Sequence, residues 1–229
     1  MGIRNFLRGD IPLVIAIHSI FESISGEVGF IPQGSWCTIV RLQGCNLRCK
    51  WCDTKESQSI DSRYMLSIDE VVDKCKNPKV LLTGGEPLIQ KDTLKLIDRL
   101  VESYHQVQVE TNGSIFLPEG YSSDCGWIVD YKCPSSGMTD KMPSFEDFID
   151  NWIEHKVIVK LVVDNTEEDL EFILQILTKM HDLFQFAISP LDARGEKILY
   201  IVNFIRERNE KLLSDIIFSI QMHKVVGLL

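Results

Sequence analysis

Short apolar, β-rich runs alternate along the chain with segments of helical period, a pattern that predicts a parallel sheet with helices packed outside it. Ile11 to Ile17 reads as a first strand and Trp36 to Leu42 as a second. Ser67-Ile68-Asp69-Glu70 has capping-box spacing, and Ile68, Val71, Val72 and Cys75 then share one helical face. After a strand over Lys79 to Thr83, Asp92 is placed to cap a helix that buries Leu94, Ile97, Leu100, Val101 and Tyr104. Strands over Gln106 to Glu110 and Trp127 to Asp130 follow, and Ser144 opens a helix of Phe145, Phe148, Ile149 and Trp152. A strand over Val157 to Val163, a helix capped by Thr166, a strand over Phe184 to Ser189, a helix near Glu196 to Arg208 and a strand over Ile216 to Gln221 complete the series. The connection Ser114 to Asp124 carries Pro118 and Gly120 and has no helical period. The expected fold class is therefore α/β, an incomplete βα barrel with a mainly parallel sheet and one crossover stripped of its helix.

Barrels of this kind carry their chemistry at the carboxyl ends of the strands. The strand Trp36 to Leu42 runs into Gly44-Cys45-Asn46-Leu47-Arg48-Cys49-Lys50-Trp51-Cys52-Asp53-Thr54, which holds three thiols at C-x3-C-x2-C spacing. Iron-sulfur clusters normally take four thiolates, so three in one loop imply a 4Fe-4S cube with one iron open to a small molecule. A structural zinc site would need a fourth ligand, for which Cys37 is the candidate, but no second knuckle is present. The Cys49 to Cys52 pair alone also has thioredoxin-like spacing, which leaves Cys45 without a purpose. Two further strand ends carry Gly84-Gly85-Glu86-Pro87 and Asp130-Tyr131-Lys132. In the first, glycines allow close backbone approach and Glu86 can pair with an ammonium, although a plain turn has the same composition.

Composition narrows the partners. The chain of 229 residues is 45% hydrophobic and 25% charged, enough for one core. Its formal net charge of -9 opposes nonspecific attraction to phosphate backbones, so a free small molecule is expected in place of nucleic acid. Ile11 to Ile17 is too short to span a bilayer, and Phe6 stands where myristoylation wants Ser or Thr. No membrane association is expected. Seven cysteines without a secretory signal point to a reducing, cytoplasmic setting, with Cys37, Cys75, Cys125 and Cys133 as buried thiols. The five histidines share no ligand spacing. Lys160, in an otherwise apolar strand, faces either a barrel lumen or a strand edge.

The cysteine loop together with Gly84-Gly85-Glu86-Pro87 resembles the radical S-adenosylmethionine (SAM) superfamily, and within it the chain from Ile20 onward resembles the 7-carboxy-7-deazaguanine synthases. Ile20 to Glu27 matches that family's aromatic-then-Gly-Glu pattern, and Ile39-Val40-Arg41 its Phe-Val-Arg. Asp130-Tyr131-Lys132-Cys133-Pro134 stands in place of Ser-Pro-Lys-Pro, Ser189-Pro190-Leu191-Asp192 in place of Gln-Pro-x-Asp, and Gln221-Met222-His223-Lys224 with Gly227 resembles the terminal segment. The resemblance implies one radical SAM domain over 1–229, with an N-terminal strand extension and a C-terminal tail closing the barrel mouth. It implies Cys45, Cys49 and Cys52 on the cluster, and Gly85, Glu86, Asp130, Tyr131, Lys132, Ser189, Pro190, Leu191 and Asp192 on SAM. It further implies Ser25, Gly26, Glu27, Thr83 and Leu229 on the substrate, and Thr54 on Mg2+, a hard cation suited to a hydroxyl. The implied reaction converts 6-carboxy-5,6,7,8-tetrahydropterin to 7-carboxy-7-deazaguanine with loss of ammonia, for queuosine or archaeosine. The resemblance also implies that SAM is regenerated, that an electron donor such as flavodoxin or ferredoxin is the partner, and that the chain forms the homodimer common in that family.

Some positions depart from the family pattern. Ser25 replaces a glutamine, Val28 replaces a glycine, and the arginine upstream of the first strand is replaced near Gly34 and Ser35, which predicts redistributed contacts to the substrate carboxylate. A glycyl-radical enzyme activase is the rival enzyme reading, since it shares the cysteine loop and the SAM site. A nonenzymatic zinc or iron-sulfur protein is the third, and it would not need Gly84-Gly85-Glu86-Pro87.

Overall fold

The computed structural model describes residues 13–61, 64–192 and 194–227. Among them nine strands form one sheet: β1 Val14–Ile24, β2 Trp36–Leu42, β3 Met65–Ser67, β4 Lys79–Gly84, β5 Gln106–Thr111, β6 Gly126–Asp130, β7 Val157–Val163, β8 Gln185–Pro190 and β9 Ile216–Phe218. Their spatial order is β3-β1-β2-β4-β5-β6-β7-β8-β9. Pairing is antiparallel for β1 with β2 and β3, and parallel from β2 through β9. The helices are α1 Ile68–Lys74, α2 Thr93–Glu102, α3 Phe145–Trp152, α4 Glu167–Met180, α5 Gly195–Asn209 and α6 Met222–Val226. Residues 112–125, between β5 and β6, contain no helix. The partial βα barrel with one stripped crossover is the architecture the sequence pattern implies.

Local chemistry sets the helix starts. The Ser67 hydroxyl accepts from Glu70 N while the Glu70 carboxylate accepts from Ser67 N, so the capping box forms. Ser144 and Thr166 cap α3 and α4 through Asp147 N and Asp169 N. Asp92 precedes α2 as expected, but its side chain caps nothing and pairs with Lys95 at 3.3 Å. Tyr104 is not buried. The helix ends at Glu102, and Tyr104 lies beyond it with φ 64° and 95% exposure.

Side chains alternate across each strand, and this period of two divides the apolar residues between two cores. The outer core places Val40, Leu82, Val109, Trp127, Val129, Val159, Leu161 and Ile188 against the helices. On the lumen side, Ile39 and Leu81 pack with Ile31, while Ile128, Ile158 and Ala187 pack with Val28 and Phe30 of the β1–β2 connection. Ile31 N donates to the buried Gln108 Oε1, and the Gln106 amide donates to Phe30 O, so this connection plugs the amino-terminal end of the barrel. Every residue of β7 is buried, as befits a parallel strand covered on both faces.

Three elements differ from the sequence pattern. β1 continues to Ile24, because its second half pairs with β2 while exposing polar side chains that mask the apolar signal. The three-residue β3 is too short to show a period, and β9 ends at Phe218, before the expected Gln221. Ile11 and Leu229 lie outside the described residues.

Candidate active site

One position further along the lumen-facing register, the apolar layer gives way to a polar one contributed by five adjacent strands: Arg41 of β2, Thr83 of β4, Glu110 of β5, Asp130 of β6 and Lys160 of β7. Arg41 lies beside Thr83 and Asp130 beside Lys160 in the parallel register. These five side chains line a cavity of about 290 Å³ that also meets Cys45, Cys49, Cys52, Trp51, Thr54, Gly84, Gly85, Asn112 and Lys132. Thiols and charged groups thus share one chamber at the carboxyl ends of the strands.

The charges are tightly linked. Lys160 Nζ bonds Glu27 Oε2 and lies 3.5 Å from Asp130 Oδ1, while Lys132 Nζ bonds Asp130 Oδ2. Lys160 is therefore a lumen residue and not a strand-edge lysine. Burial works against its charge, but Asp130, Glu27 and Glu110 hold its pKa well above the ordinary lysine value. The Glu27 Oε1 atom accepts from Gln221 Nε2 at 2.6 Å, and Thr83 Oγ1 donates to Glu110 Oε2 at 2.9 Å. Burial, then repulsion from Glu27, pushes Glu110 up to about 7 against the attraction of Lys160. Met222 N donates to Gly26 O, and the Gln33 amide bridges Gly26 O and Ile220 O, tying the terminal segment to the β1–β2 connection.

The thiol loop is held by the end of β4. Gly85 N donates to Leu42 O and Glu86 N to Gly44 O. A Cβ on Gly84, whose φ is +141°, would come within 2.3 Å of Leu42 O, and one on Gly85 within 2.1 Å of Gly44 O. The paired glycines let two backbones meet. The Glu86 carboxylate is fully buried and accepts from Leu88 N at 2.9 Å, Thr111 Oγ1 at 2.8 Å and Asn112 N at 2.6 Å. All three bonds point into the protein, so the carboxylate ties the end of β4 to the end of β5.

Several other expected site residues turn away from the cavity. The Tyr131 ring packs on Phe145, Phe148 and Phe172 and its hydroxyl donates to Pro143 O, so only its backbone faces the strand ends. Asp192 is exposed and pairs with Arg194 and Lys197. Ser25 is buried with its hydroxyl on Glu27 O, while Ser23, Ile24, Gly26 and Glu27 line the cavity. Leu191 reaches the cavity, and Ser189 and Pro190 lie buried just before it at the end of β8. Thr54 precedes a 3-10 turn but its hydroxyl caps nothing and sits 3.9 Å from Cys52 Sγ. Arg41, matched in the resemblance but given no role there, is the cavity residue whose part sequence reasoning missed. Its guanidinium lies over the Phe21 ring and 3.9 Å from the Glu56 carboxylate, and its buried Nε has no protein partner. The signal was present as the one cation in a strand entering the cysteine loop.

The donor set fits a cluster with a polar ligand. Burial raises the Cys45 and Cys49 thiols above their ordinary range, with Lys132 opposing the rise at Cys49, so metal would displace their protons. Cys37 packs with Ile31, Ile39 and Leu81, away from the loop, and among the described residues no three His, Cys, Asp or Glu side chains gather around a single-ion site. Ser189 Oγ and Trp51 Nε1 are buried without a protein partner, as polar atoms that serve a ligand would be. No helix of the described residues is long and apolar enough to cross a membrane.

Barrel, thiol loop and glycine pair define a radical SAM protein, and residues 39–121 match the radical SAM superfamily. The chain is 32% identical to the 7-carboxy-7-deazaguanine synthase of Clostridium acetobutylicum over 215 residues, covering 90% of this chain and 93% of that protein. It is also 32% identical to the enzyme of that name from Methanospirillum hungatei over 216 residues, 93% of this chain and 85% of the relative. The chain belongs to the 7-carboxy-7-deazaguanine synthase family. In fold it resembles the crystal structure of QueE from Escherichia coli, with a TM-score of 0.70, 21% identity, and 92% and 95% of the two chains covered. Streptococcus suis SuiB shares the fold more distantly, with a TM-score of 0.55, 13% identity, and 79% and 47% covered. Membership implies a 4Fe-4S cluster and SAM. These relatives lend the activase alternative no support.

Proposed function

We propose that the chain, as one radical SAM domain, converts 6-carboxy-5,6,7,8-tetrahydropterin to 7-carboxy-7-deazaguanine with loss of ammonia, feeding queuosine or archaeosine synthesis. The carrying observation is the cavity itself, with three thiols on one wall and Arg41, Thr83, Glu110, Lys160 and Glu27 on the other. Cys45, Cys49 and Cys52 would hold the cluster, which together with SAM would supply the radical chemistry that removes hydrogen from the substrate. On the SAM side stand the Gly85 backbone, Lys132, the Asp130–Tyr131 backbone and the Ser189 to Asp192 turn, where the partnerless Ser189 hydroxyl supports the assignment.

Arg41 offers a planar fork to the substrate carboxylate, and its partnerless Nε leaves that role open. A carboxylate has about four acceptor sites, so Glu27 can keep Lys160 and Gln221 and still accept from the N–H edge of a pterin. Thr83 and Glu110 complete that wall, and the segment through Gln221 covers it. Thr54, with its hydroxyl uncommitted to capping, suits an oxygen ligand of Mg2+. The described cysteines are all free thiols, which suits a reducing cytoplasmic setting. A flavodoxin or ferredoxin as electron donor and a homodimer belong to the same reading.

Anaerobically reconstituted protein, given SAM, a reductant and the carboxytetrahydropterin, should release the deazapurine without consuming SAM in proportion. Iron-loaded protein that cleaves SAM but leaves the pterin untouched would overturn the substrate. Thr54→Ala should keep its iron and lose magnesium activation. If it retains the parent's magnesium curve, the metal is held elsewhere.

A further inference from the structure

We infer that Asn112 is a positioning residue that donates an N–H to the Cys45 thiolate and thereby raises the reduction potential of the cluster. The inference rests on the reading that Cys45 is a cluster ligand. Asn112 Nδ2 lies 3.9 Å from Cys45 Sγ and 2.9 Å from Asn46 Oδ1. The orientation of the amide follows from its other end: Oδ1 accepts from Ser114 N at 3.0 Å and from Ser114 Oγ at 2.7 Å. Two donors fix the oxygen, so the nitrogen must face the sulfur. The Asn112 backbone is fixed too, because its N–H donates at 2.6 Å to Glu86, a carboxylate locked by Leu88 N and the Thr111 hydroxyl. A rigid line of bonds therefore runs from the end of β4, through Glu86 and Asn112, to one thiol of the loop. Cys45 Sγ accepts a second bond from Leu47 N at 3.4 Å. Donors to a ligating sulfur favour the state of higher negative charge, which is the reduced cluster, and so raise the potential.

Asn112→Asp tests this, because it keeps the oxygen that Ser114 bonds and replaces the donor with an acceptor. In the reconstituted holoenzyme the ratio of reduced to oxidised cluster at a fixed potential should fall at least tenfold, a midpoint about 59 mV more negative for a one-electron couple. Asn46→Ala, which removes the bonds of Asn46 to the Asn112 amide and to the Ser114 hydroxyl but leaves the Asn112 N–H beside Cys45, should leave the midpoint where it is. An Asn112→Asp protein with full iron content and the parent's midpoint overturns the inference. Should that variant lose its cluster, the parent labelled with nitrogen-15 asparagine decides: pulsed EPR of the reduced state should show a nitrogen-15 coupling that survives Asn46→Ala, and its absence overturns the inference. A parent that takes up no iron overturns the cluster reading as well, whereas an unmoved midpoint in a loaded variant overturns this inference alone.

Discussion

Glu110 should carry a proton in the folded protein that the unfolded chain has already released, and Glu110→Gln should abolish the pH dependence this creates. The groups that face it are Thr83 on β4, Asp130 on β6, Lys160 on β7 and Glu27 from the β1–β2 connection. Burial contributes most to the rise, Glu27 and Asp130 add repulsion, and Lys160 and the Thr83 hydroxyl oppose it, leaving the carboxyl at about 7 from an ordinary 4.5. That difference is worth at most about 3 kcal/mol, and roughly half of it after screening, since the carboxyl borders a cavity that admits water. Its sign follows from proton counting. Between the unfolded and folded values the native state binds more protons, so stability falls as pH rises from about 4.5 to about 7 and is level above that range. Urea unfolding of parent and Glu110→Gln at steps from pH 4 to pH 8 isolates this group, because all others are common to both. The Gln carbonyl can still accept from Thr83. The variant should gain on the parent by about 1–2 kcal/mol across the window, with no further gain beyond it. A constant difference at every pH, or a parent that gains on the variant as pH rises, would refute the reasoning.

Glu86→Ala should cost about 2–4 kcal/mol of stability by leaving three donors without their acceptor, read as a lower urea midpoint, and any loss of SAM affinity should follow from the loosened loop. Unchanged stability with SAM binding weakened tenfold would restore the sequence expectation of a direct ammonium contact. Arg41→Ala should raise the KM for the carboxylated pterin by roughly tenfold or more with a smaller change in kcat, from loss of a charge-assisted bond. An unchanged KM would place the carboxylate elsewhere. Gly85→Ala should fold yet hold less iron after reconstitution, since its methyl group meets Gly44 O at 2.1 Å and must displace the start of the cysteine loop.

The order of strands and helices was legible because most strands are short apolar runs, and Ser67, Ser144 and Thr166 mark the starts of three intervening helices chemically. The three thiols were legible because they lie within eight residues of one loop. What the linear pattern could not decide was the face. Tyr131 stands one position after Asp130 and Asp192 one after Leu191, and each pair splits, one member lining the cavity while the other turns away. Lys160 resisted for the same reason: in a strand buried on both faces, neither side announces itself by polarity. Its assignment needed its neighbours in space, the Asp130 carboxylate of β6 and the Glu27 carboxylate of the β1–β2 connection.

The Gly84-Gly85-Glu86 segment makes contacts within the protein that sequence chemistry does not announce. Sequence chemistry suggests that glycines approach a ligand and that the acid pairs with its ammonium. In the structure the glycines approach Leu42 and Gly44, and the acid takes the backbone of Asn112. Both placements bring β4, β5 and the thiol loop into one body. A ligand bound between them meets walls already fixed before it arrives, so little ordering remains to be done on binding. An acid at position 86 is then required less for its charge than for its two acceptor oxygens, which three separated donors occupy at once. A glutamine there would retain the shape but present an N–H to a donor on one side. Its substitution should thus loosen the Cys45 wall even though no atom of residue 86 enters the cavity.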